Sequence, residues 1–270
     1  MNAARKLRVG AVSYLNTRPL VHGLRELAPD IDLVFDLPSR LADRLAVSDL
    51  DVALIPSIEY FQDPEYRIVS DACIACRGPV LSVKLLSRVP PDQIRTLALD
   101  EGSRTSASLL RILLRERFKL SPRLERLPLG AGVADTQADA ILLIGDRAIH
   151  TPPGKFVAEW DLGDEWTRWL RLPFVFAMWV ARPDVDTDSL AVALSAARDA
   201  GLRDLEAIAR DAAPDVDLST EACLGYFRDN LYFFLGTEER KGLEFFRERA
   251  IAMGLAPPKR SRPDAALATS

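Results

Sequence analysis

A chain of 270 residues, 48% hydrophobic and 27% charged, has enough material for one large core or two lobes, and its composition is not that of a disordered protein. The net charge of −4, with basic residues scattered among acidic ones, argues against nucleic acid as the main partner, so an anionic ligand must be held by local donors. No run approaches the roughly eighteen apolar residues of a membrane span, and the basic start lacks the apolar stretch of a secretory signal, so a cytoplasmic protein is expected.

The first half alternates short β-rich runs with amphipathic helical runs, the pattern of an α/β fold with a largely parallel sheet. Leu7 to Val12 reads as the first strand, and Pro19 opens a helix reaching about Leu27. Ile31 to Asp36 is the second strand, and Ser39 caps a helix over Arg40 to Val47. Asp51 to Ile55 is a short buried strand stopped by Pro56, with a helical turn from Ser57. Arg67 to Ala75 and Val80 to Ser87 follow as strands, and Val89-Pro90-Pro91 marks a boundary.

A second α/β unit then begins: strand Thr96 to Leu99, helix Thr105 to Phe118, strand Ala140 to Ile144. Leu172 to Ala181 is again strand-like, after which the chain turns helical. Leu190, Leu194, Ala197, Gly201, Leu205, Ile208 and Ala212 advance by threes and fours as one apolar stripe. Ser219 caps a helix ended by Gly236, and Thr237 starts the last one, ended by Gly254. This order predicts a lobe inserted between two halves of another: residues 1–88 and 178–255 form the first, 89–177 the second, and 256–270 a flexible basic, proline-rich tail.

Ligands of open α/β sheets gather beyond the carboxyl ends of the strands. The first strand leads into Ser13-Tyr14-Leu15-Asn16-Thr17-Arg18, the third into Pro56-Ser57, Leu99 into Asp100-Glu101-Gly102-Ser103-Arg104-Thr105-Ser106, and Ile144 into Gly145-Asp146. Free backbone N–H groups and the helix dipole there can hold a carboxylate without a lysine or arginine. Ordinary capping explains any one of these sites; recurrence at four strand ends favours a cleft. Arg18, Arg77 and Arg104 lie near those ends, but the chain is so rich in arginine that their position is weak evidence.

Other chemistries have little support. His22 and His150 follow no strand directly, so neither a histidine base nor a metal site is indicated, and no cofactor is expected. Cys73 and Cys76 have the spacing of a redox or zinc motif but no second pair, and read as buried thiols. Gly130-Ala131-Gly132 lacks the strand-turn-helix setting of a dinucleotide loop. Trp160, Trp166, Trp169 and Trp179 read as packing residues.

Four strings carry a family resemblance: Val9-Gly-Ala-Val-Ser-Tyr-Leu-Asn-Thr-Arg-Pro-Leu20, Asp51-Val-Ala-Leu-Ile-Pro-Ser-Ile-Glu-Tyr60, Asp100-Glu-Gly-Ser-Arg-Thr-Ser106 and Leu172-Pro-Phe-Val-Phe-Ala-Met-Trp179. Together, over residues 7–255, the chain resembles the chorismate dehydratases of the futalosine route to menaquinone. The resemblance implies a type II periplasmic-binding-protein-like fold, two lobes with a ligand cleft between them, and strand crossings near residues 84–92 and 172–182. It also implies loss of water from chorismate, with Asn16 and Ser82 positioning the substrate for catalysis. Ser13, Tyr14, Ser57, Ser103, Thr105, Ser106, Gly145 and Asp146 are expected to bind it. The resemblance leaves two other readings: 1,4-dihydroxy-6-naphthoate synthase, whose first loop differs from Ser13-Tyr14-Leu15-Asn16, and a non-catalytic carboxylate-binding protein.

Overall fold

In the computed structural model, residues 5–150, 152 and 154–258 are described. Most of the expected tail therefore lies outside the described residues.

The apolar runs of the first segment pair as a sheet. β1 (Leu7–Val12) runs parallel between β2 (Ile31–Asp36) and β3 (Val52–Pro56). A 3₁₀ stretch, Leu15–Val21, leads from β1 to α1 (Leu24–Leu27), and α2 (Pro38–Ala46) covers β1 and β3. The helix expected from Pro19 is absent: Pro19 sits within the 3₁₀ stretch, and Gly23 at φ +67° breaks the chain before α1. Ser39 does not cap α2, because Pro38 already occupies the first turn and Leu37 precedes it.

After α3 (Ser57–Tyr60), β4 (Arg67–Cys76) ends this segment, and the chain crosses to a second sheet. That sheet holds β5 (Val83–Ser87), β6 (Thr96–Asp100), β7 (Arg123–Leu127), β8 (Ala140–Ile144) and β9 (Ala158–Asp161) in the order β7-β6-β8-β5-β9. α4 (Arg104–Phe118), α5 (Asp146–Ile149) and α6 (Leu162–Leu170) belong to this part of the chain. β10 (Phe174–Ala181) returns to the first sheet and β11 (Tyr232–Phe234) completes it, giving β11-β4-β10-β3-β1-β2. α7 (Asp188–Arg203), α8 (Leu205–Ala212), α9 (Thr220–Gly225) and α10 (Thr237–Ala252) fill the return segment.

Both sheets are mixed rather than largely parallel. The strand delivered by each crossing, β5 or β10, runs antiparallel to both its neighbours. β5 belongs wholly to the second sheet and β10 wholly to the first, so the chain crosses between residues 77 and 82 and between 171 and 173. The expected boundaries at 88/89 and 177/178 cut one strand off from its sheet and another through its middle, because an apolar strand does not reveal which of two cores it enters.

Aromatic packing fixes the second crossing. Trp166 is fully buried, meets the Phe174 ring at 5.0 Å, and donates its indole N–H to the Pro173 carbonyl at 3.1 Å. Burying side chains of this size stabilises by about 2–3 kcal/mol each. Cys73, Cys76 and Cys223 are all buried free thiols. Among the described residues, no helix is long and apolar enough to cross a membrane.

Candidate active site

The carboxyl ends of β1, β3, β6 and β8 face one another across a narrow cleft, about 50 Å³ in volume and open in part to solvent. Its walls are largely apolar, from Val12, Pro56 and Phe176 on one side to Val83 and Ile144 on the other. The polar groups that converge on it are Tyr14, Asn16, Ser82, Ser103 and Ser106, with Gly145 at the rim. No lining residue among those described carries a carboxylate, an ammonium, a guanidinium or an imidazole.

Asn16 enters from the 3₁₀ stretch after β1. Its Oδ1 accepts from Thr17 Oγ1 at 3.3 Å, which leaves its amide N–H groups as donors. Ser82 stands opposite, at the end of the first crossing. There Ser82 N–H donates to the Val80 carbonyl at 2.7 Å across Leu81, whose φ is +65°. A three-residue turn with a positive central φ is strained for a leucine. Asp161 holds it, accepting from Val80 N–H at 2.9 Å and Leu81 N–H at 2.6 Å, and from the Gly163 and Asp164 N–H groups at the start of α6.

Tyr14 reaches from the first lobe over two glycines of the second. A Cβ on Gly145 would stand 2.8 Å from the Tyr14 ring, and one on Gly102 would stand 2.9 Å from its hydroxyl. Burial, then the nearby Asp100 carboxylate, pushes the Tyr14 phenol well above its ordinary pKa, so it stays a neutral hydroxyl. Asp100 ties the rim together, accepting from Gly102 N–H at 2.9 Å, Ile144 N–H at 3.3 Å and Arg147 Nε at 3.1 Å.

At the start of α4, Ser103 caps the helix by accepting from Ser106 N–H at 3.2 Å, and donates its own proton to Ser106 Oγ at 2.9 Å. The Ser106 proton is thereby left to a ligand. A 15-residue helix also directs unpaired N–H groups and its positive end at this point.

The structure thus brings Tyr14, Asn16, Ser82, Ser103, Ser106 and Gly145 to one cavity. Four other expected contacts are placed elsewhere. Ser57 and Thr105 are fully buried and bond each other at 3.3 Å; Ser57 donates to the Val175 carbonyl at 2.8 Å and Thr105 accepts from Ile58 N–H at 3.2 Å. Their hydroxyls are consumed in joining α4 to β10 and α3, not in meeting a ligand. Ser13 is exposed beside the cleft, lining a separate depression with Thr17 and Arg18. Asp146 points back across the lobes, its carboxylate accepting from Leu15 N–H at 3.0 Å; burial raises its pKa against the opposing pull of that N–H and of Arg18.

The arginines near the strand ends are also engaged away from the cavity. Arg18 pairs with Asp215 at 3.0 Å, Arg77 with Glu239 at 2.8 Å, and Arg104 with Asp43 at 2.7 Å and Glu59 at 3.2 Å. His22 and His150 bond Asp204 and the Val216 carbonyl. Burial lifts the Cys76 thiol to about 12 and Cys73 higher still, which makes both poor nucleophiles. Sequence reasoning missed Tyr226, which is fully buried and donates its hydroxyl proton to Ser82 Oγ at 2.9 Å. No local motif marks it; only its place beside the first crossing does.

Comparison with known proteins adds the relatives of this arrangement. A family model described as menaquinone biosynthesis matches residues 7–252. The chorismate dehydratase of Thermus thermophilus is 30% identical over 267 residues, covering 92% of this chain and 96% of that protein. Among solved structures, protein AF1704 from Archaeoglobus fulgidus superposes with a TM-score of 0.74 at 18% identity, over 94% of this chain and all of that one. The periplasmic aliphatic sulphonate binding protein SsuA from Escherichia coli gives 0.62 at 14% identity, over 95% of this chain and 90% of that one. At such identities these likenesses establish a fold: two α/β lobes of the periplasmic-binding-protein type with a ligand cleft between them.

Proposed function

The chain belongs to the menaquinone biosynthesis family, and from that premise we propose that it is a chorismate dehydratase, a hydro-lyase that converts chorismate to 3-[(1-carboxyvinyl)oxy]benzoate and water. The observation that carries the mechanism is a cleft lined by hydroxyls, an amide and a helix start but by no side-chain base among the described residues. A dianionic substrate supplies what those walls lack. Its enolpyruvyl carboxylate takes the proton from the ring carbon that bears the ether. The carbanion spreads into the ring carboxylate, and the neighbouring hydroxyl departs with a proton as water, leaving an aromatic ring.

The protein's part is to orient and to exclude water. The start of α4, with Ser103 and Ser106, suits one carboxylate by charge and by free donors. The amide of Asn16 and the hydroxyl of Ser82 suit the other, holding it against the carbon it deprotonates. Tyr14, kept neutral, closes the first lobe over Gly145 and Gly102. We further propose that the lobes hinge at residues 77–82 and 171–173, and that the protein works in the cytoplasm, where its free cysteines stay reduced.

Purified protein incubated with chorismate should abolish the diene absorbance and yield the aromatic product by mass spectrometry. Tight binding with an unchanged spectrum would instead favour a carboxylate receptor. Replacing Asn16 by Ala should lower kcat by about 100-fold with binding retained, on the scale of losing one charge-stabilising donor.

A further inference from the structure

We propose that Tyr226 is a positioning residue for the dehydration, acting through Ser82; this rests on the activity proposed above. Tyr226 comes from the return segment, on a π-helical turn, Tyr226–Asn230, between α9 and β11. Such turns concentrate at functional sites because the extra residue re-aims a side chain. Here it carries a phenol into the core beside the cleft, 1% exposed.

The hydrogen-bond chain fixes each proton. Asn16, whose amide oxygen accepts from Thr17 Oγ1 at 3.3 Å, has its side chain close to the Tyr226 hydroxyl. The Tyr226 hydroxyl in turn donates to Ser82 Oγ at 2.9 Å. Ser82 Oγ, having accepted that proton, must give its own elsewhere. Among the described residues its one acceptor is the Val80 carbonyl at 3.4 Å, beyond the usual range for an O–H···O bond, so the stronger outlet is a ligand oxygen in the cavity. Tyr226 thus makes Ser82 a donor to the substrate. A phenylalanine would fill the same space but leave the Ser82 hydroxyl free to rotate.

The test is a double-mutant cycle with chorismate. Y226F keeps the ring, so folding is checked by its thermal midpoint; should it not fold, Tyr226→Met is read the same way. Y226F is expected to lower kcat about tenfold while KM moves less than about threefold. In an S82A background the same substitution is expected to change kcat less than about twofold, because the group it orients is gone. A full tenfold loss in both backgrounds would mean that Tyr226 acts only through packing and would overturn the proposal. If the wild-type protein binds chorismate without converting it, the proposed activity fails, and the cycle is read on Kd instead: coupling upholds the link from Tyr226 to Ser82 and additivity overturns it. Failure to bind chorismate at all overturns both.

Discussion

Asp51 shows how one side chain fastens three strands. It lies at the foot of β3, 1% exposed, and accepts from Arg8 N–H at 2.9 Å, from Arg182 at 3.0 Å and from Arg5 at 2.5 Å. Burial pulls its pKa upward, but the Arg8 N–H and the guanidiniums outweigh that pull and hold it at about 2, below its ordinary 3.8. Because the folded value is the lower one, this stability is present at neutral pH and is lost as pH falls from about 4 through about 2. It amounts to no more than about 2 kcal/mol, since the arginines are partly exposed and screened. Urea denaturation across that range should show D51N less stable than wild type at pH 7 and the difference shrinking toward pH 2. At this scale the sequence was informative where chemistry follows a strand: Asn16, Tyr14, Ser103 and Gly145 are all reached that way. It could not separate Ser106, which lines the cavity, from its neighbour Thr105, which faces α3, because consecutive residues of a first helical turn point in different directions. Tyr226 was illegible because its partner Ser82 stands 144 residues away.

Among the elements, α7 does most to hold the loop that carries Asn16. Gly201 lets this helix lie directly on the 3₁₀ stretch: a Cβ there would stand 2.0 Å from the Pro19 carbonyl oxygen, a contact no rotamer can relieve. G201A should therefore destabilise the protein by about 2–3 kcal/mol and lower kcat as well, since the loop and Asn16 must move together. Denaturation midpoints and turnover measured on the same preparation test both. The apolar stripe from Leu190 to Ala212 predicted this packing face, yet it is split into α7 and α8 at Asp204. β7, β9 and β11 were not foreseen, and all three are edge strands. An edge strand need not carry the apolar run of a central one; β7 is Arg-Leu-Glu-Arg-Leu and β11 only three residues long. Central strands such as β8, buried at every position, were plain in the sequence.

For the whole molecule, closure of the lobes rests on a few contacts across the cleft. Arg104 at the head of α4 bonds Asp43 of α2 and Glu59 of α3, and Asp146 meets Leu15 N–H. Burial raises the Glu59 pKa against the opposing pull of Arg104, so as pH falls Glu59 loses its charge sooner than an ordinary carboxylate. R104A should raise KM about two- to fivefold with kcat less affected, and high salt should narrow the gap, because part-exposed ion pairs are screened. Small-angle scattering should record a more open form without substrate. The sheet order has one more consequence, for synthesis on the ribosome. β10 lies between β3 and β4, so until residue 181 has emerged the two halves of the first sheet have no strand to join them. The inserted lobe is continuous in sequence and can be finished first, while β3 and β4 wait with bare edges that invite aggregation. A translational stall just before β10 would leave the nascent chain at its most vulnerable to misassembly.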